Sequence, residues 1–561
     1  LSLAILATGS RRWFGLNGWS LWSLAAASIA ALVSVPIVVV LASLFVPTGE
    51  VWSHLSATVL PNYVVNSLVL MVGVGIVTLV TGVGTAWLVT MCRFPGRGVF
   101  EWALLLPFAV PAYVVAFTYG GLFDYPGPLQ SGLRELFGWQ RGDYWFPELR
   151  SLGGAILVLS MVFYPYVYLL ARAAFLEQSV CVMEVSRTLG RTPWRCFRDV
   201  ALPLARPAIA GGLALALMET LSDFGAVQHL AVDTFTTGIF RTWFGLGDAI
   251  AAAKLSAFLM LFILALVLLE RTTRGGRRFH HTSRRYRALP RWPLGGGRAA
   301  LAFLACLAPI FLGFLLPAGQ LVVWTARTAA RVVDADFLAL AANSLLLAAV
   351  AAVLAVAVGL VIAYGQRLKP GPLMGVSARI AGLGYAVPGT VIAVGVLVPF
   401  AWLDNQLDAW LRASFGVSSG LLLSGTLVAL MFAYLVRFLA VSLNTVEASL
   451  GKVTPAMDGA ARTLGHGPGA TLVRVHVPII KGSLMTAALL VFVDVMKELP
   501  ATLIMRPFNF NTLAVRAFEL ASDEQLAEAA PAALAIVGAG IVPVIVLTFA
   551  IARSRPGLTG S

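Results

Sequence analysis

Nine stretches of the chain contain no Asp, Glu, Lys or Arg and reach the roughly 20 residues that a membrane-spanning helix needs. They lie within 16 to 46, 63 to 89, 102 to 123, 151 to 171, 299 to 326, 338 to 364, 380 to 403, 413 to 436 and 531 to 552. Three further runs, 208 to 228, 249 to 269 and 482 to 504, have the length but are interrupted by charge. Twelve spans follow. In lipid a single segment satisfies its backbone donors and acceptors internally only as a helix, so the expected fold class is an all-α integral membrane protein. The composition agrees: 12% of the residues are charged, against roughly a quarter in a soluble protein.

The net charge of +14 would fit a nucleic-acid partner only if it were gathered on a soluble face. With the N-terminus inside, most Lys and Arg instead fall in the loops on the side of the termini, which is the positive-inside bias. Both termini are therefore expected in the cytoplasm, with a lipid bilayer and no nucleic acid as the surroundings. The densest basic run, "RTTRGGRRFHHTSRRYRALPRWPLGGGR" at 271 to 298, reads as a linker against anionic lipid. The first apolar run is too long for the core of a signal peptide and reads as a retained first span. Cys92, Cys181, Cys196 and Cys306 fall in spans or on the cytoplasmic side, where no disulfide framework is expected.

The chain also repeats itself. "NSLVL" at 66 to 70 returns as "NSLLL" at 343 to 347, and Pro111 matches Pro388, both 277 positions on. "RTLG" at 187 to 190 returns at 462 to 465, and Arg241 with Asp248 returns as Arg516 with Asp523, both 275 positions on. Each copy holds six spans, an even number, so the two enter the membrane in the same sense as parallel repeats. The expected organisation is a first half at 1–270, a basic cytoplasmic linker at 271–298 and a second half at 299–561.

Each copy carries one polar insert between apolar runs. In "EVSRTLGRTPWRCFRDVALPL" at 184 to 204, Gly190 suits the left-handed residue beyond a helix end. Thr192 suits an N-cap, and Pro193 the first position of a short helix bearing Trp194. Leu202-Pro203 is expected to stop that helix before the next span. The second copy repeats the punctuation with Gly465, Gly467, Pro468 and Pro478.

These residues carry a resemblance. Glu184, Gly190, Val200, Leu202 and Pro203 fit the pattern EAA, three residues, G, nine residues, I-x-L-P, and Gly465 and Val475 keep the same separation. The chain thereby resembles the permease subunits of bacterial binding-protein-dependent ABC importers, whose type I fold the resemblance implies. In the second copy Gly459, Ala460 and Ala461 stand at the EAA positions, and Asp458 lies one place earlier. The resemblance implies that the loops 177–205 and 442–480 dock on two copies of a cytoplasmic ATPase subunit. The chain has no GxxxxGK[ST] loop, its Gly451-Lys452 pair lacking the remaining positions. ATP and Mg are thus expected on the partner subunits, this chain binding no cofactor and catalysing no reaction.

Charges inside spans are costly and mark candidate pathways. Glu219 and Asp223 lie four residues apart, hence on one helix face, and Asp494 with Glu498 recurs 275 positions on. Carboxylate oxygens suit hard cations. The bland alternative is that Lys497 neutralises Asp494 or Glu498 and the group only ties helices together. No cluster has metal-site spacing, so no metal ligand is assigned. The strings "ETLSDFGAVQHLAVDTFTTGIFRTWFGLGDAIAAAKLSA" at 219 to 257 and "DVMKELPATLIMRPFNFNTLAVRAFELASDEQLAEAAPAAL" at 494 to 534 are similar to those of fused ferric-iron permeases. That resemblance implies ferric ion as cargo, delivered by a periplasmic binding protein and carried across the bacterial cytoplasmic (inner) membrane. It also sets Thr236, Thr237, Arg241, Arg506, Asn509 and Arg516 near the gate or the docked partner. The alternatives are the same class importing thiamine or another small solute, or an ion-coupled secondary transporter. The latter has no use for paired cytoplasmic docking helices.

Overall fold

The computed structural model describes residues 21–47, 49–140, 142–177, 188, 190, 192–274 and 291–553. Glu184 with its neighbours Val185 and Ser186, Cys181, and most of the basic linker lie outside the described residues. Eleven of the described helices are long and apolar enough to cross a membrane, and a twelfth candidate is a pair, Arg97–Ala109 and Ala112–Phe137, bent by 90°. One pair of two-residue strands, Cys92–Arg93 and Trp292–Pro293, is the only sheet among the described residues. The all-helical expectation is met.

The third span is not the single helix that its unbroken apolar composition implies. Pro107 sits in the 3-10 turn Leu106–Ala109, and Pro111 is extended (ψ 145°) before helix Ala112–Phe123. The second copy breaks at the matching place, with turn Gly384–Ala386 and Pro388 (ψ 145°) before helix Gly389–Phe415. A proline ring has no N–H and obstructs the preceding turn, so each copy re-aims its chain there.

Contacts divide the chain into two compact units: residues 1–35, 352–385 and 435–491 in one, and 36–351, 386–434 and 492–561 in the other. In the larger unit, helix Leu152–Glu177 packs against helix Leu60–Met91 at Gly82, where a Cβ would stand 2.7 Å from Val167 Cβ and 2.9 Å from the Tyr168 nitrogen. Without a hydrophobic driving force in lipid, the packing that such close backbone approach permits is one of the forces that hold helices together, alongside interhelical hydrogen bonds. Tyr164 and Tyr168 donate to the carbonyls of Leu104 and Glu101 at 2.9 Å each, and Arg172 pairs with the Glu101 carboxylate. These contacts fasten the bent third span to the fourth.

The smaller unit repeats the approach at Gly359, which lies 277 residues after Gly82 and faces Ser442 and Leu443. There Ser442 Oγ donates to the Ala355 carbonyl at 2.6 Å.

Candidate functional site

The described residues of the first polar insert form the same local structure as their counterparts in the second. Gly190 has φ +72° and Gly465 φ +80°, the left-handed region that favours glycine. Thr192 is extended and its hydroxyl accepts from the Arg195 N–H at 3.4 Å, opening helix Pro193–Cys196. Gly467 is likewise extended before helix Pro468–Thr471. Each short helix then passes into a π turn, Phe197–Ala201 and Leu472–His476, and on into a span, Leu202–Ser222 and Val477–Lys497.

The expectation that Leu202-Pro203 and Pro478 stop the helix is therefore corrected. The ring of a proline collides with the carbonyl four residues earlier in a regular helix. In the wider turn, the N–H of Leu202 reaches back five residues to the Phe197 carbonyl, and that of Val477 to Leu472. The chain widens at the proline without breaking.

Among the described residues the two turns show different anchors. In the first copy Phe197 lies 4.9 Å from Trp87 and 5.4 Å from Trp194, and Trp87 also meets Phe175 at 5.6 Å. Trp194 itself is largely exposed. In the second copy the anchor is ionic. Arg367 donates to Asp458 Oδ2 from Nε and Nη2 at 3.0 and 2.7 Å, and His476 Nε2 lies 2.7 Å from Oδ1. The same guanidinium donates to the carbonyls of Leu450 and Val453 at 2.7 and 2.8 Å, and Tyr364 OH to that of Pro468 at 2.8 Å. Burial raises the Asp458 carboxyl, but hydrogen bonds from Arg367 and His476 outweigh it and hold the group below its ordinary value.

Asp458 thus carries a structural charge one residue before the EAA positions. On its helix, Gly459 and Ala460 are exposed and Ala461 is buried. At the corresponding places of the first copy stand Trp87 for Tyr364, Thr90 for Arg367 and Ala201 for His476. Neither Arg367 nor His476 was visible as a site residue in the sequence.

The carboxylates of the fifth span in each copy have two distinct placements. Asp223 ends the first of these spans, and its Oδ1 accepts from the N–H groups of Ala226 and Val227 at 3.0 and 3.1 Å, opening helix Gly225–His229. Glu498 does the same for helix Pro500–Met505, accepting from Ala501 and Thr502 N–H at 3.0 Å each and from the Thr502 hydroxyl at 2.8 Å. Each carboxylate caps its helix from the residue before the N-cap, Phe224 or Leu499, and so holds a break in the chain.

Glu219 and Asp494, one turn earlier, lie within electrostatic reach of the Lys497 ammonium, which also donates to the Phe108 carbonyl at 2.7 Å. Lys497 thus feels one carboxylate from each copy, Asp494 and Glu219, while Glu498 is engaged in its cap. The Lys497 link to Phe108 had no sequence signal.

Of the other residues singled out, Thr236 donates to the Asp223 carbonyl at 2.6 Å and Thr237 closes a capping box with Thr234. Arg241 pairs with Asp233 at 2.6 Å and Arg506 with Glu519 at 2.6 Å. Arg516 is exposed, and Asn509 takes a positive φ of 61°. Two further hydroxyls deserve notice on geometry: Tyr113 OH and Thr390 Oγ1 are buried without a hydrogen-bond partner, and they occupy matching positions 277 apart just beyond Pro111 and Pro388. The repeat offset is the signal that pairs them.

No family model matches the chain. It is 28% identical over 486 residues to the Fe(3+)-transport system permease protein FbpB 2 of Haemophilus influenzae, covering 86% of this chain and 88% of that protein. It is 25% identical over 477 residues to the putative ferric transport system permease protein FbpB 1 of the same organism, covering 81% and 72%. A shorter match, 31% over 145 residues, joins 26% of this chain to 60% of the molybdenum transport system permease protein ModB of Escherichia coli. By helical architecture the chain is a multi-pass membrane protein, and by sequence it is similar along most of its length to the permeases of ferric transport systems.

Proposed function

We propose that this chain is the membrane permease of an ATP-driven importer that carries ferric iron from a periplasmic binding protein to the bacterial cytoplasm. The observation that carries the reading is the duplicated turn: a left-handed glycine, a proline-started helix and a π turn running into a span, repeated 275 residues on. Two such turns suit two copies of a cytoplasmic ATPase subunit, one per turn, with ATP and Mg held there. The termini then lie in the cytoplasm and the membrane is the inner one.

The local geometry supports the coupling. Because the helix continues through the π turn, Pro193–Ser222 is a single rod of 30 residues, about 45 Å long at 1.5 Å per residue. It ends on the Asp223 cap, so displacement of the turn by a closing ATPase moves the far end of the span and the short helix behind it. The second rod, Pro468–Lys497, ends on the Glu498 cap in the same way.

Near these ends, two carboxylates, Glu219 and Asp494, lie within electrostatic reach of the Lys497 ammonium. Carboxylate oxygens at this place suit a hard cation such as ferric ion. A secondary transporter would leave the two docking turns without a role.

Uptake of radiolabelled ferric iron into proteoliposomes, with candidate ATPase and binding protein and with or without ATP, tests the reading. Proline cannot adopt positive φ, so Gly190→Pro and Gly465→Pro should each abolish ATP-dependent uptake in protein that still inserts. ATP-dependent uptake of thiamine without iron would replace the cargo. Uptake indifferent to ATP and to both substitutions would overturn the assignment to this class.

A further inference from the structure

The end of helix Leu60–Met91 and the start of helix Gly296–Ile310 are joined by the molecule's small sheet, in which Cys92 pairs with Trp292 and Arg93 with Pro293. Leu294 N–H donates to the Arg93 carbonyl at 3.0 Å. Gly96, at φ +76°, then turns the chain into helix Arg97–Ala103. The result is an open cleft of about 590 Å³ lined by Arg93, Arg97 and Arg291 with Phe94, Gly96 and Gly98.

Among the described residues lining the cleft, every charged side chain is an arginine. Glu101 is the neighbouring carboxylate, and it is shared between Arg97 at 3.7 Å and the buried Arg172. Arg97 is further held by donating to the Val89 carbonyl at 2.8 Å. Arg93 and Arg291 are exposed at the mouth.

The position is as informative as the charge. One apolar span ends one residue before the sheet, and another begins three residues after it, so the cleft sits where hydrocarbon gives way to water. Trp292 lies 5.6 Å from Trp87, as tryptophans do at that boundary. The helices flanking the cleft expose apolar side chains, Val99 and Trp102 on one and Phe303 and Leu304 on the other.

We propose that this cleft binds an anionic phospholipid, its phosphate among Arg93, Arg97 and Arg291 and its acyl chains along Val99, Trp102 and Leu304. Guanidinium groups match phosphate oxygens in pairs. Free phosphate satisfies only the cationic half of the site, whereas a lipid satisfies both. The bound lipid would fasten the chain that joins the two repeats to the membrane surface. The site is independent of which solute is carried and of any ATPase.

The test uses the full chain, purified in detergent, and photoactivatable phosphatidylglycerol. Crosslinks are expected within 93–102 and 291–304; crosslinks confined to other regions would refute the site. Native mass spectrometry should show phosphatidylglycerol retained in preference to phosphatidylcholine. Arg93→Gln and Arg291→Gln should each weaken that retention by about fivefold, the order expected for one cation near an anionic surface. Arg291→Lys should keep most of it, and Arg331→Gln, at an exposed arginine elsewhere, all of it. Equal retention by the glutamine variants would overturn the proposal. So would displacement of the lipid by millimolar inorganic phosphate, which would mark a plain anion site. Because no transport is measured, failure here leaves the importer reading untouched, and the reverse also holds.

Discussion

Asp458 concentrates more of the second turn's organisation than any other residue. Its carboxylate holds Arg367 and His476 together, and Arg367 in turn satisfies two backbone carbonyls. Asp458→Asn should cost about 1.5–3 kcal/mol, the order for a hydrogen bond to a charged group, read as a lower thermal unfolding temperature in detergent. The sign with pH follows from the depressed native value. The contribution is complete above the ordinary carboxylate range near 4 and declines as pH falls through the lower native value. The gap in unfolding temperature between wild type and Asp458→Asn should therefore close below about pH 4; a gap unchanged at pH 3 would contradict the assignment. Lys497 makes a second prediction. Lys497→Met should reduce the yield of folded protein by removing a cation that Glu219 and Asp494 both stabilise. Adding Glu219→Gln should restore part of the yield, and additive losses would rule out coupling between the two positions.

Among elements, the glycine contacts and the π turns behave as the lipid environment demands. A Cβ at Gly82 meets a backbone nitrogen and a branched Cβ within 3 Å, whereas at Gly359 its nearest neighbour is a serine hydroxyl. Gly82→Ala should thus cost about 1–3 kcal/mol through overpacking and Gly359→Ala less, measured as monodisperse yield and unfolding temperature. Pro203→Ala should leave folding intact, because alanine supplies the missing N–H. It should let the turn revert to a regular helix, altering the register of the Pro193–Ser222 rod. In the proposed importer that separates ATP hydrolysis from uptake, and full coupling in the variant would show that the wide turn is dispensable. This level is where the sequence misleads. Leu202-Pro203 and Pro478 look like helix stops because proline usually is one, and nothing in the local composition distinguishes a stop from a widened turn. The break at Pro107 and Pro111 is hidden for the opposite reason, since the surrounding residues are apolar throughout.

For the molecule as a whole, the span count, the helical class and the matching turns were legible because length without charge and repetition at fixed offsets are properties of the string itself. The pairings were not. Arg367 reaches Asp458 across 91 positions and Lys497 reaches Phe108 across 389, and no periodicity announces a partner that distant. Even the carboxylate pairs, evident as i and i+4, divided into one that caps and one that meets Lys497, a distinction made only by where the helix ends. At this scale the proposed assembly predicts one copy of the chain with two ATPase subunits, to be read from the native mass of the purified complex; a one-to-one mass would contradict it.

Among the described residues the two turns share a backbone path but show different anchors: indole and phenyl rings at one, and a salt-bridged carboxylate with an imidazole at the other. In a permease built from two identical subunits, every change at a docking turn is made twice and must suit both places at once. A chain that carries both copies escapes that condition, so each turn is free to drift toward its own solution. In the proposed assembly, identical ATPase subunits would meet unequal sockets, one lined by aromatic rings and the other braced by charge, and acid would loosen the second before the first.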